Sequence, residues 1–128
     1  MNIKPYAYYW SRGTGENKEK TGIKPSGGLC ADAVYMSLDP TEFYNKQGRT
    51  HLYGIDMRGI EENLKLIPEK EWILSEKTIP PQHIFYVGNN FSSEEEVKEE
   101  LVKARNNFLQ TYHRRNFRLE KEEIKVHQ

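Results

Sequence analysis

The chain has 128 residues, of which 19 are basic and 19 acidic, so its formal net charge is zero. That length bounds it to one folded unit with a real core and little room for insertions. The balanced charge gives no global pull toward nucleic acid or acidic membranes. Cys30 is the single cysteine, which excludes an internal disulfide and a cysteine zinc cluster.

Residues 5–12 are aromatic and β-favouring, and predict a first strand. Alternation puts Tyr6, Tyr8, Trp10 and Arg12 on one face and Ala7, Tyr9 and Ser11 on the other. The stretch 13–28 is polar and punctuated by glycine and Pro25, which reads as loop. Ala33 to Leu38 predicts a second strand, with Val34, Met36 and Leu38 facing the core and Tyr35 and Ser37 opposite. Asp39-Pro40-Thr41-Glu42 has the form of a helix start, with proline early. That helix would carry Phe43 and Tyr44 and stop at Gln47-Gly48.

His51 to Met57 predicts a third strand, and Gly59 to Leu66 a turn or one helical loop. Further strands are expected around 70–75 and 83–87, the latter introduced by Ile79-Pro80-Pro81. Adjacent prolines donate no backbone hydrogen bonds and belong at a strand edge or start. Glu69 and Glu71 open the apolar run Trp72-Ile73-Leu74, and a strand over 69–74 would point both carboxylates to one side. From Ser92 the pattern changes. Ser92 and Ser93 precede Glu95 and Glu96 at capping-box spacing. Val97, Leu101, Ala104, Phe108 and Tyr112 then recur at helical spacing. Glu94–Lys98 and Glu99–Lys103 are favourable i,i+4 pairs, and His113-Arg114-Arg115 closes the helix in accord with its dipole. Residues 116–128 read as a charged tail.

The expectation is therefore one α+β domain over 1–128. It comprises a β core at 1–91, a long amphipathic helix at 92–115 and the tail. The first ten residues carry one lysine and four aromatics but no long apolar run or small-residue cleavage site. No secretory signal is expected from them. No stretch reaches the ~20 apolar residues of a membrane span. A soluble, cytoplasmic protein is expected, with delivery into a target cell left open. His51, His83, His113 and His127 have no metal-ligand spacing, and no metal is expected.

Arg12-Gly13-Thr14 at the end of the first strand, Ser37 on the second, and Glu69-x-Glu71 before a later strand occur in that order. This resembles the Arg–Ser–Glu class of mono-ADP-ribosyltransferases, the group of the cholera-toxin-like enzymes. Those carry an aromatic-Arg-Gly segment, a Ser-Thr-Ser strand and a final Glu-x-Glu. Ile79-Pro80-Pro81-Gln82-His83-Ile84 is similar to the Ile-Pro stretch that follows the catalytic glutamate in several members. In length the chain is closer to the compact rifampin-modifying transferases, whose middle stretch is similar to Val34-Tyr35-Met36-Ser37. Ser37 alone stands here for the Ser-Thr-Ser motif.

The resemblance implies two small packed β-sheets around an NAD cleft, with NAD as substrate. It implies Glu71 as the catalytic carboxylate against the ribose and Glu69 as the group that orients or deprotonates the acceptor. Arg12, Gly13 and Thr14 would hold the dinucleotide. Ser37 would support Glu71, and Tyr35 or Tyr44 (or Phe43) would stack on nicotinamide. The implied partner is a macromolecular acceptor, foremost a protein arginine, with nucleic acid left open. A toxin, effector or phage-type factor would carry such an activity. Two other readings use the same residues. One is a non-catalytic partner-binding or inhibitory protein with this fold, and the other is RNA 2′-phosphate transfer onto NAD.

Overall fold

Aromatic and β-branched residues alternate in several short segments of the first ninety positions, and these segments pair into one antiparallel sheet. The computed structural model describes residues 5–11, 18–27, 32–44 and 50–126, with the backbone alone at 26–27, 32 and 112–126. Arg12, Gly13, Thr14, Gln47 and Gly48 lie outside the described residues.

The strands are β1 (Tyr6–Ser11), β2 (Ser26–Gly27), β3 (Asp32–Ser37), β4 (His51–Asp56), β5 (Leu64–Ile67), β6 (Trp72–Ser75) and β7 (Ile84–Gly88). Six of them run in the order β5-β6-β3-β1-β4-β7, and β2 pairs with β3 off this path. A short helix, α1 (Lys18–Thr21), and a long one, α2 (Glu94–Val126), complete the described elements. The chain is α+β.

The two central strands, β1 and β3, meet at one register pair, Tyr8 with Ser37. Beside it, β1 and β4 pair continuously from Tyr6–Asp56 to Ser11–His51. The path is thus pinched into a β5-β6-β3 half and a β1-β4-β7 half. In place of two separate sheets there is one hydrogen-bonded path with a narrow waist.

Alternation along the strands sorts the core by face. One cluster joins Ala7, Ile55 and Ile84 with Val34, Met36 and Ile73, so both halves contribute to it. Ile23 and Ile79 close this cluster, and they bond each other through both amides, at 3.1 and 2.8 Å. The opposite face of the β1-β4-β7 half buries Tyr8, Trp10, Leu52 and Phe85 against Val97 and Leu101 of α2. Full burial of side chains of this size stabilises by roughly 1.5–3 kcal/mol each.

Helix α2 starts as its sequence predicts. The Ser93 hydroxyl accepts the Glu96 amide at 3.1 Å, and the Glu96 carboxylate accepts the Ser92 amide at 3.2 Å and its hydroxyl. Those two bonds hold the Glu96 carboxyl below the usual carboxylate range. Lys103 pairs with Glu100 at 3.3 Å, one position along from the expected Glu99. The helix also runs past the expected end at 115, through Val126, 33 residues in all, about 50 Å at 1.5 Å per residue. No proline or glycine interrupts residues 94–126, so nothing local stops it.

Other differences have local causes. The segment after β3 makes successive turns in place of a helix. Glu42 and Tyr44 donate their amides three residues back, to Asp39 and Thr41, at 3.4 and 3.1 Å. The region read as a turn around 59–66 contains a 3-10 turn at Glu61–Asn63 and then β5, which pairs antiparallel with β6. The strand expected at 70–75 begins at Trp72, because residues 68–71 form the hairpin turn between β5 and β6. Within the stretch read as loop, α1 and β2 form.

Candidate functional site

The centre of the site is Ser37, at the end of β3 and wholly buried. Its register partners are Tyr8 on β1 and Trp72 on β6, and partners in register share a face. Ser37, Tyr35, Tyr8, Trp72 and Leu74 therefore lie on one side of the waist. Burial raises the Tyr8 hydroxyl above its ordinary value, with Arg105 opposing, so it stays protonated at neutral pH.

A buried hydroxyl needs partners, and Ser37 finds them in the turn that follows it. It donates to Glu42 Oε2 at 2.5 Å and accepts the Asp39 amide at 3.0 Å. The other carboxylate oxygen of Glu42 accepts the Trp72 indole Nε1–H at 2.8 Å. Glu42 thus spans the ends of β3 and β6. Phe43 packs on the Trp72 ring at 5.8 Å between centroids, and the Lys70 ammonium lies 4.7 Å from that ring's centre.

The turn is anchored on both sides of Glu42. Trp10 Nε1–H donates to the Pro40 carbonyl at 2.8 Å, and the Tyr44 hydroxyl donates to the Phe91 carbonyl at 3.0 Å. Trp10 also packs against Tyr44 and Phe91. Asp39 stiffens the start of the turn by accepting the Thr41 amide and hydroxyl at 2.9 and 2.8 Å.

The sequence-selected residues fall around this centre unevenly. Glu69 and Glu71 are exposed and lie in the β5–β6 turn, not on a strand, so strand alternation does not align them. Glu71 sits in the left-handed region, at φ 57°. Its amide donates to the Pro68 carbonyl at 3.3 Å and its carbonyl accepts the Leu38 amide at 2.9 Å. Glu71 is therefore one rung from Ser37 across the β3–β6 pair. No hydrogen bond from a described residue reaches the carboxylate of Glu69 or Glu71. Ser37 was expected to support Glu71, but its hydroxyl is directed to Glu42. Tyr35 lies opposite Leu74, half-buried, and Tyr44 packs on Trp10 as above. Arg12, Gly13 and Thr14 follow directly on Ser11, the last residue of β1, and lie outside the described residues.

The backbone of Glu71 carries a testable consequence. A left-handed residue with a Cβ costs about 1–2 kcal/mol, and glycine relieves this while losing about 0.5–1 kcal/mol to the entropy of the unfolded chain. Glu71→Gly is expected to leave stability equal or raised by about 0.5 kcal/mol, read by urea denaturation. A loss of about 1 kcal/mol or more would mean that the side chain makes a stabilising contact.

Sequence reasoning missed Glu42. It was read as part of a helix start, and Ser37, expected on the face away from the core, gave no signal of the burial that makes it need a partner. A second feature was also missed. A groove of about 830 Å3 lies between α1, β7 and α2, lined among others by Glu19, Tyr86, Lys103 and Phe108. None of the described candidate site residues lines it, although Pro81, Gln82 and Ile84 of the Ile-Pro stretch do. Beside it the Tyr86 hydroxyl lies 3.0 Å from His51 Nδ1. Burial, with Glu19 adding, raises that hydroxyl above its ordinary value.

Among the described residues, no group of three or more His, Cys, Asp or Glu is placed to hold a metal ion. No described helix is long and apolar enough to cross a membrane. No protein-family model, curated protein or solved structure matches the chain.

Proposed function

We propose that the chain is an NAD-dependent mono-ADP-ribosyltransferase that moves ADP-ribose from NAD to a macromolecular acceptor, foremost a protein arginine. One observation carries this reading. Ser37 on β3 and Glu71 before β6 lie one rung apart at the waist of the sheet, and the neighbouring strand β1 pairs there through Tyr8, three residues before its end at Ser11, which precedes Arg12.

The chemistry suits those residue types. Breaking the bond between nicotinamide and ribose develops positive charge on the sugar, and a carboxylate beside it stabilises that state. Glu71 takes this role, with nothing among the described residues bonded to its carboxylate. Glu69, in the same turn, orients or deprotonates the acceptor. Arg12 offers a fork-shaped donor to phosphate or ribose, Gly13 lets the backbone approach the amide, and Thr14 adds a hydroxyl. Tyr35 or Tyr44 stacks on the nicotinamide. A toxin, effector or phage-type factor fits such a transferase.

The groove between α1, β7 and α2 favours a second reading, a non-catalytic partner-binding protein of this fold. Incubation with labelled NAD and a cell lysate separates the two. Transfer of label to a macromolecule is the expected result. No transfer, together with no shift of Tm by NAD, would replace the transferase with the binder.

A further inference from the structure

We infer that Ser37 and Trp72 form a two-donor subsite for an acceptor group of a ligand, which Glu42 fills with its own carboxylate in the free protein. The subsite is built from groups already described. Ser37 is a hydroxyl with no exposed surface. Beside it on the next strand is an indole N–H, and the two donors converge on one carboxylate at 2.5 and 2.8 Å. A carboxylate, a carboxamide oxygen or a phosphate oxygen satisfies the same pair. Aromatic surface flanks it, with Phe43 on the Trp72 ring and the Lys70 ammonium over the same ring. A planar ligand that carries an acceptor group fits this combination.

Glu42 can leave without unfolding its surroundings. The backbone on either side is held independently, by Trp10 on the Pro40 carbonyl and by Tyr44 on the Phe91 carbonyl. Rotation of one half-buried glutamate side chain toward solvent uncovers both donors. Buried donors left unpaired are costly, so the exchange is favourable only when a ligand's acceptor replaces the carboxylate. On the transferase reading, on which this part rests, the replacing group belongs to NAD, and its carboxamide oxygen has the required chemistry.

The test uses the full chain and the two indole N–H resonances of Trp10 and Trp72, assigned with Trp72→Phe. In Glu42→Ala the Trp72 resonance should shift and its hydrogen exchange should quicken about tenfold or more. Propionate, which supplies the carboxylate that the variant lacks, should return the resonance toward its wild-type position in a saturable way. The wild type should not respond to propionate. Glu42→Gln, which keeps the length and one acceptor oxygen for the Trp72 N–H, should hold that resonance close to its wild-type position. Should the alanine variant fail to fold, Glu42→Asp, too short to span both donors, takes its place.

NAD is then titrated into all three proteins. Binding at least fivefold tighter in Glu42→Ala than in Glu42→Gln supports the subsite, because lost repulsion alone would affect the two variants equally. Two results overturn the inference: an unchanged Trp72 resonance in Glu42→Ala, or a propionate response equal in wild type and variant. Failure of every protein to bind NAD would sink the transferase reading, while the propionate arm would still decide the subsite.

Discussion

Glu71→Gln is expected to lower NAD cleavage and transfer by about 10²-fold or more, the ordinary loss for a group that stabilises charge in the transition state, with Tm unchanged. The structural half of this expectation follows from position. Glu71 is exposed in a hairpin turn, its backbone is fixed by Pro68 and Leu38, and no described residue bonds its carboxylate. Glutamine keeps the length and the backbone demands of the side chain and removes only the charge. The catalytic half follows from the reaction, which needs that charge where the ribose becomes cationic. Nicotinamide release under saturating NAD, beside a thermal melt, checks both. Turnover within about twofold of the wild type would contradict the assignment, since a loss that small lies far below the effect of removing such a group.

The largest stability effect is expected at Gly54. It lies in β4, between Tyr8 of β1 and Phe85 of β7. A Cβ built there would overlap Cζ and Cε2 of Phe85 and lie 2.7 Å from its Cε1. The Phe85 ring occupies the space a side chain would need, and it stacks on Phe108 of α2 at 4.9 Å and meets Tyr6 edge-on at 5.9 Å. Gly54→Ala therefore displaces the ring that joins the sheet to the long helix. The cost should reach about 3 kcal/mol, the upper end for overpacking. For a domain of this size that is a fall in Tm of about 10 °C or more by circular dichroism. A change below about 2 °C would mean that Phe85 repacks freely.

The elements with strong period were legible in the sequence, and those set by long-range pairing were not. Residues 6–11, 32–37, 51–56 and 84–88 are strands because aromatic and branched residues alternate there, and alternation can be read locally. Val97, Leu101, Ala104 and Phe108 likewise announce a helix face. By contrast, β5 is short, half-buried and follows a 3-10 turn, and it is a strand because β6 offers it a partner. The β5–β6 turn was missed for the same reason, so Glu69 and Glu71 were expected on a strand face. Ser37 was selected correctly as a residue on the face opposite Met36. Its partner was not legible, because the choice of Glu42 over Glu71 depends on how residues 39–44 fold back over Trp72. That path is set by Trp10 and Phe91, each far from the turn in sequence.

The most direct measurement is a crystal structure of the chain with NAD. The account predicts the nicotinamide ribose beside the β5–β6 turn, with the Glu71 carboxylate within hydrogen-bond distance of a ribose hydroxyl. Dinucleotide bound in the groove between α1, β7 and α2, with Glu71 still facing water, would contradict it.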